Sequence, residues 1–259
     1  MEYPPTVKAD VDSDARVLFF SDAHLTSEDS PESRERVERV VSFLEYASSQ
    51  GDVLIILGDL FDFYFEYKTV LPACHLRVLA ALEAVSRAGV SCFYTAGNHD
   101  FWLGRLFSRT LGVTVVRDAL LLSREGEQGK TVLAAHGDGM GSGDRGYKLL
   151  KKCLRNRLLI WLFRQVHPDW GQAIARLTSR VSRKYTAGLQ HARAAAQAET
   201  SEKLLAENPD LEAVILGHTH LPVDSQLKHG RYLNSGDWCT HFTYISWTPQ
   251  GFELRNFSG

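Results

Sequence analysis

Five apolar runs in this 259-residue chain each stop on a short polar cluster, and the clusters are built from the same few residue types. Residues 17–20 run into Ser21-Asp22-Ala23-His24, and 53–57 into Gly58-Asp59. Residues 90–95 lead to Gly97-Asn98-His99-Asp100, 131–135 to His136-Gly137-Asp138, and 213–216 to Gly217-His218-Thr219-His220. Short apolar runs of this kind read as buried strands, which need cover on both faces. Helical cover is at hand: residues 32–48 place Val37, Val40, Val41 and Leu44 on one face, and a second helix over 75–87 stops near Gly89. Further short strands are expected at 114–116 and 119–123, and around Tyr232-Leu233 and residues 244–247. Strand, polar loop, helix, strand is the rhythm of a layered α/β protein. Its polar loops gather at the carboxyl ends of the strands, where open α/β sheets bind ligands.

A strand-end Asp or His is commonly a cap or turn residue, and Gly-Asp and Gly-Asn are ordinary turns. Five such clusters at successive strand ends are a different matter. Two divalent cations held roughly 3.5–4 Å apart need one bridging carboxylate and several further Asp, His or Asn donors. Mixed nitrogen and oxygen donors suit Mn²⁺, Fe²⁺ or Zn²⁺ better than Ca²⁺. In such a centre Asp59 bridges, Asn98 supplies a neutral amide oxygen and His136 an imidazole. Asp22 and His24 are two apart, so an extended backbone turns both side chains one way, and His218 and His220 share that spacing. The chemistry expected is phosphoryl transfer. A water between the two cations loses its proton near neutral pH and attacks phosphorus in line with the leaving oxygen.

Composition excludes little: 44 % apolar and 23 % charged residues are ordinary for a soluble globular protein. The net charge of −2 hides an asymmetry, because residues 145–193 carry twelve Lys or Arg and one acid, Asp169. From about 141 to 203 no strand signal appears. Leu149, Leu150, Leu154, Leu158, Leu159, Leu162 and Phe163 instead fall on a helical stripe with Trp161 among them. This reads as a basic helical cap, 141–203, inserted into a core formed by 1–140 and 204–259. An amphipathic helix of that composition suits an anionic surface, a membrane above all. Cys74, Cys92, Cys153 and Cys239 show no paired spacing and read as reduced thiols. No signal peptide is expected in the acidic, proline-bearing start, and no apolar stretch reaches the roughly 18–20 residues needed to span a bilayer.

The five clusters resemble the calcineurin-like metallophosphoesterases, whose pattern is Asp-x-His, Gly-Asp, Gly-Asn-His-Asp/Glu, His and Gly-His-x-His. The resemblance implies a layered αββα sandwich. It assigns Asp22, His24, Asp59 and His220 to one metal, and Asp59, Asn98, His136 and His218 to the other. His99 becomes the catalytic histidine, stabilising phosphoryl charge or protonating the leaving group, and Asp62 the carboxylate that pairs with it and fixes its orientation. A narrower resemblance covers 17–257: Gly58-Asp59-Leu60-Phe61-Asp62-Phe63-Tyr64-Phe65-Glu66-Tyr67, Gly97 to Trp102, His136 to Lys148 and Asn234-Ser235-Gly236-Asp237-Trp238. These are similar to the UDP-2,3-diacylglucosamine pyrophosphatases of lipid A biosynthesis. That likeness implies Mn²⁺, a UDP-linked acylated glucosamine substrate, a cap acting as a lid, and peripheral attachment to the cytoplasmic face of the inner membrane. It places Asn98, Asp144, Tyr147, Ser182, Arg183 and Lys184 on the substrate. His99 departs from the pattern, since many members carry Arg there. The alternative is another phosphodiesterase or a nuclease of the same family, although no stable nucleic-acid partner is expected.

Overall fold

The computed structural model describes residues 6–127, 129–140, 156–174, 188 and 190–259. Among them, two six-stranded sheets pack face to face. One has the order β12 (Gly251–Asn256), β11 (Thr243–Thr248), β2 (Val17–Phe20), β3 (Val53–Ile56), β4 (Ser91–Thr95), β5 (Val113–Val116). Its four strands β2 to β5 run parallel, with β11 and β12 added antiparallel. The other has the order β1 (Thr6–Val11), β6 (Ala119–Arg124), β7 (Thr131–Ala135), β8 (Leu211–Leu216), β10 (Arg231–Ser235), β9 (Pro222–Gln226).

Strand alternation sorts the side chains into layers. Val17, Phe19, Val53, Ile55 and Leu57 face the second sheet and meet Leu120, Leu122, Val132, Ala134, Ala213 and Ile215 between the sheets. Their neighbours Leu18, Phe20, Leu54 and Ile56 point outward onto α1 (Pro31–Gln50) and α2 (Leu76–Arg87), against Phe43, Leu44, Val78 and Leu82. On the far side, Leu133, Val214 and Leu216 pack on Leu204 and Leu205 of α5 (Gln190–Glu207). Both sheets are therefore covered on both faces, which is why β2 and β3 tolerate four consecutive buried apolar residues. The order of layers is helix, sheet, sheet, helix.

The helices start and stop for local reasons. Ser30 caps α1 by accepting from the Ser33 amide at 3.2 Å, with Pro31 in the first turn. α2 begins after a 3₁₀ turn at Ala73–His75, and Gly89 beyond it adopts φ +96°. Some elements had no sequence signal. α3 (Arg105–Arg109) is a short turn buried through Phe107 alone. β1 pairs in parallel with β6 as an edge strand, so most of its residues stay partly or fully exposed and need no apolar run.

α5 passes unbroken through position 203, where the sequence sets the edge of the cap, and buries Gln197, Ser201, Leu204 and Leu205. Within the cap, α4 (Arg157–Phe163) and the helical residues 168–174 are described, whereas Leu149, Leu150 and Leu154 lie outside the described residues. α4 has no buried residue. Leu158 is 62 % exposed and Trp161 57 %, so the apolar stripe faces out over much of its described length. Phe163 ties α4 to the core: its ring lies 4.8 Å from Phe65 and 5.2 Å from Trp102, centroid to centroid.

Candidate metal centre

The loops after β2, β3, β4, β7 and β8 converge at one end of the sandwich and bring seven predicted side chains together. Around His136 Nε2 lie Asn98 Oδ1 at 3.1 Å, His218 Nδ1 at 3.2 Å and Asp59 Oδ2 at 3.3 Å. Around His24 Nε2 lie His220 Nε2 at 3.1 Å, Asp22 Oδ1 at 3.7 Å and the same Asp59 oxygen at 3.9 Å. His220 Nε2 is also 3.5 Å from Asp22 Oδ1. Two sets of four donor atoms therefore share one carboxylate oxygen. Lone pairs crowded at these distances repel unless a proton or a cation sits among them.

Two observations favour cations. Asp22 Oδ1 and Asp59 Oδ2 are buried and accept no hydrogen bond, which is costly for a carboxylate unless something positive meets it. The titration balance carries the same demand. Burial would raise Asp59, yet the imidazoles of His136, His99 and His24 hold it well below the usual carboxylate range. Burial disfavours charge on His136, but Asp59 and Asp22 pull it up to about 10. His218 falls to about 4 because it is buried and faces a charged His136. The protein alone can supply this positive charge only by protonating His24 and His136. Divalent ions would replace those protons.

The ligand atoms are aimed by their surroundings. His136 Nδ1 donates to the Leu57 carbonyl at 2.7 Å, which fixes the tautomer and leaves the Nε2 lone pair toward Asp59. The amides of His218 and His99 donate to the inward-held oxygens Asp22 Oδ2, at 2.9 Å, and Asp59 Oδ1, at 2.8 Å. Gly97 has to be glycine because a Cβ there would lie 2.1 Å from Asp59 Oδ1. Asp22, His24, Asp59, His218 and His220 all have positive φ, between 43° and 72°. This corrects the expectation of extended backbone at Asp22–His24 and His218–His220. The left-handed turns direct alternate residues to different places: His220 joins Asp22 and His24, while His218 joins Asp59 and His136. Backbone strain of this kind collects at functional sites.

His99 stands at the half-buried side of the centre, near His24 and Asp59. Its Nδ1 donates to the main-chain carbonyl of Asp62 at 2.8 Å, and the Asp62 carboxylate lies 3.7 Å away. The same carboxylate is 3.7 Å from His24 Nδ1, so it supports two histidines rather than one. Burial and the charge of His24 lower the pKa of His99, with Asp59 opposing. Asp144, Tyr147, Ser182, Arg183 and Lys184 lie outside the described residues.

Two supporting carboxylates had no role in the sequence reading. Asp100 accepts from Tyr94 Oη and from the Gly97 amide at 3.0 Å, clamping the loop that carries Asn98 and His99. Burial and the nearby charge of Asp59 raise it to about 6. Asp237 stands 3.6 Å behind His220 Nδ1 and accepts from the Thr240 and His241 amides at 2.8 and 3.0 Å. The block Asn234 to Trp238 was the available signal for it.

The calcineurin-like phosphoesterase family model matches residues 15–222. The UDP-2,3-diacylglucosamine hydrolase of Porphyromonas gingivalis is 31 % identical over 258 residues, 93 % of this chain and 97 % of that protein. Its namesake in Edwardsiella ictaluri is 28 % identical, covering 92 % of this chain and 90 % of the relative. That of Aeromonas hydrophila is 31 % identical, covering 85 % and 90 %.

Proposed function

The chain belongs to the calcineurin-like phosphoesterase family, and on that premise we propose that it hydrolyses the pyrophosphate bond of UDP-2,3-diacylglucosamine, releasing UMP and 2,3-diacylglucosamine 1-phosphate. The observation that carries this is the pairing of a complete two-cation donor set with end-to-end similarity to hydrolases named for that substrate. Asp22, His24, Asp59 and His220 would hold one ion, and Asp59, Asn98, His136 and His218 the other; Mn²⁺, which the family resemblance implies, is among the cations that suit these donors. Bound there, the ions supply Lewis-acid stabilisation of phosphoryl charge and a more acidic water.

The chain's own residues do the rest. The exposed sides of Asn98, His99, His218 and His220 form the approach for the pyrophosphate, while Asp22, Asp59 and His136 form the buried floor. With Nδ1 held by the Asp62 carbonyl, His99 Nε2 takes the role of meeting a phosphoryl oxygen or giving the leaving group its proton. The segment 141–203 serves as a lid over the core formed by 1–140 and 204–259, with Asp144, Tyr147, Ser182, Arg183 and Lys184 on its substrate side. Among the described residues no helix is long and apolar enough to cross a membrane. The exposed Leu158, Trp161, Leu162 and Trp170, in a segment so rich in Lys and Arg, suit peripheral binding to the anionic cytoplasmic face of the inner membrane.

The test is release of UMP from UDP-2,3-diacylglucosamine by metal-stripped protein reloaded in turn with Mn²⁺, Mg²⁺ and Zn²⁺. Turnover is expected with Mn²⁺, none after chelation, and none on cyclic nucleotides or single-stranded DNA. Failure to release UMP with every ion, or cleavage of DNA instead, overturns the reading.

A further inference from the structure

Gln197 is 3 % exposed, in the middle of α5, the helix that carries the chain from the cap back into the core. All of its amide's partners belong to the strands and loops beneath the metal centre. Nε2 donates to the carbonyl of Gly137 at 3.2 Å and to that of Gly217 at 3.3 Å. Oε1 accepts from Tyr232 Oη at 3.0 Å and from Asn234 Nδ2 at 3.2 Å. Gly137 follows His136 and Gly217 precedes His218. The two donor hydrogens of one side chain thus bind the backbone on both sides of the second donor set.

The fit is tight and fully satisfied. A Cβ on Gly137 would lie 2.5 Å from Gln197 Nε2, and Gly137 has φ +95°. Asn234 Nδ2 also donates to the Gly217 carbonyl at 2.7 Å and to Thr219 Oγ1 at 3.1 Å, making a two-amide clamp on the loop 217–219. One turn along α5, Thr200 Oγ1 donates to the Met140 carbonyl at 2.6 Å, at the point where the chain leaves the core for the cap. No comparable contact runs from Gln197 to Asp22, His24 or His220. A buried amide could be replaced by an apolar side chain with less at stake, since every unsatisfied polar atom there is costly. Its placement calls for a reason other than packing.

We propose that Gln197 is a positioning residue for one half of the metal centre: by clamping the Gly137 and Gly217 carbonyls it sets the separation of His136 and His218, and hence the binding of the second cation. The proposal rests on the two-metal reading above. It makes α5 the physical link between the cap and that half of the site. Outer partners of metal ligands act in this way, and losing one weakens binding by about 10- to 100-fold.

The experiment titrates Mn²⁺ alone into metal-stripped full-length protein, followed by calorimetry and electron paramagnetic resonance. Wild type is expected to bind two ions and show a spin-coupled pair. Gln197→Glu keeps the acceptor side but removes both donors to the loops, and Gln197→Met keeps the length and removes all four bonds. Both are expected to retain the first ion at wild-type affinity, bind the second about 10- to 100-fold more weakly, and show an uncoupled Mn²⁺ signal at two equivalents. Leu204→Ala, buried on the same helix away from the ligand loops, controls for loss of stability and should bind both ions normally. Retention of the coupled pair in both Gln197 variants overturns the proposal, as does equal loss of the second ion in Leu204→Ala. If one variant fails to fold, the other decides. Should wild type bind fewer than two ions, the two-metal reading itself fails; if only the variants behave like wild type, the Gln197 assignment alone falls.

Discussion

The floor of the metal centre and the cap above it are held in opposite ways. The floor is overdetermined: Asp59 and Asp22 each have one oxygen fixed by a backbone amide from a different loop, and His136 is locked by the Leu57 carbonyl. In the described part of the cap outside α5, Phe163 packs on Phe65 and Trp102 and Gly171 lies beside Tyr67, while Leu158, Trp161 and Trp170 stay exposed. A rigid floor keeps charges in register with little reorganisation during reaction. A loosely held, apolar cap suits a ligand that must be drawn from a lipid phase and released again. On the proposed function, chemistry and lipid handling would fall to different parts of the molecule.

Changes in the floor should abolish catalysis, and changes in the cap should alter access. Asp59→Ala removes the shared carboxylate; turnover should fall by about 10³-fold or more, with fewer than two metals retained by elemental analysis. His99→Ala should cost about 10²–10⁴ in kcat while metal content stays at the wild-type level. Loss of metal in that variant would show that His99 is a ligand and would merge the two roles. Phe163→Ala should raise KM for the acylated substrate several-fold with kcat and metal content nearly unchanged, and should hasten limited proteolysis within 141–189. Charge reversal at Lys151, Lys152 and Arg155 should have the smallest effect on detergent-assisted turnover, yet reduce co-sedimentation with anionic vesicles. Unchanged sedimentation would remove the cap from membrane binding.

Acidity gives one further test of the floor. Against its burial, the carboxylates of Asp59 and Asp22 pull His136 up from 6.5 to about 10 in the metal-free protein. Its contribution to stability is whole below 6.5 and disappears as pH rises through about 10. A cation bound there displaces the proton, so Mn²⁺ affinity should climb by about tenfold per pH unit for each proton released between those limits. Calorimetry in two buffers of different ionisation enthalpy counts those protons. Binding without proton release would place the ion elsewhere.

The sequence revealed most where burial is two-sided. Val17–Phe20 and Val53–Ile56 are apolar at every position because both faces are covered, and no other reading of such runs ends so regularly on ligand residues. β1 was invisible because an edge strand has only one neighbour to satisfy, and Thr6–Val11 carries Lys8 and Asp10 at little cost. The seven donors were legible as residue types at strand ends. Their division between two sets came from the family pattern and not from spacing, because left-handed backbone at Asp22, His24, His218 and His220 leaves no trace in residue spacing. Gln197 and Asp237 act through contacts to groups distant in sequence or made by side-chain geometry alone, which periodicity does not report. The apolar face of α4 was legible as a stripe, but amphipathic spacing does not say what covers it.

The positive φ angles of the ligand residues have a consequence for descent. Away from glycine, such a conformation costs about 1–3 kcal/mol, less for aspartate than for histidine. A copy of this gene released from hydrolysis would gain robustness by accepting glycine or asparagine at 22, 24, 59, 218 or 220. Evolution toward a sturdier scaffold and evolution toward a loaded metal pair therefore pull these five positions in opposite directions. Glycine appearing there in a relative would mark a lineage that has abandoned catalysis while keeping the architecture.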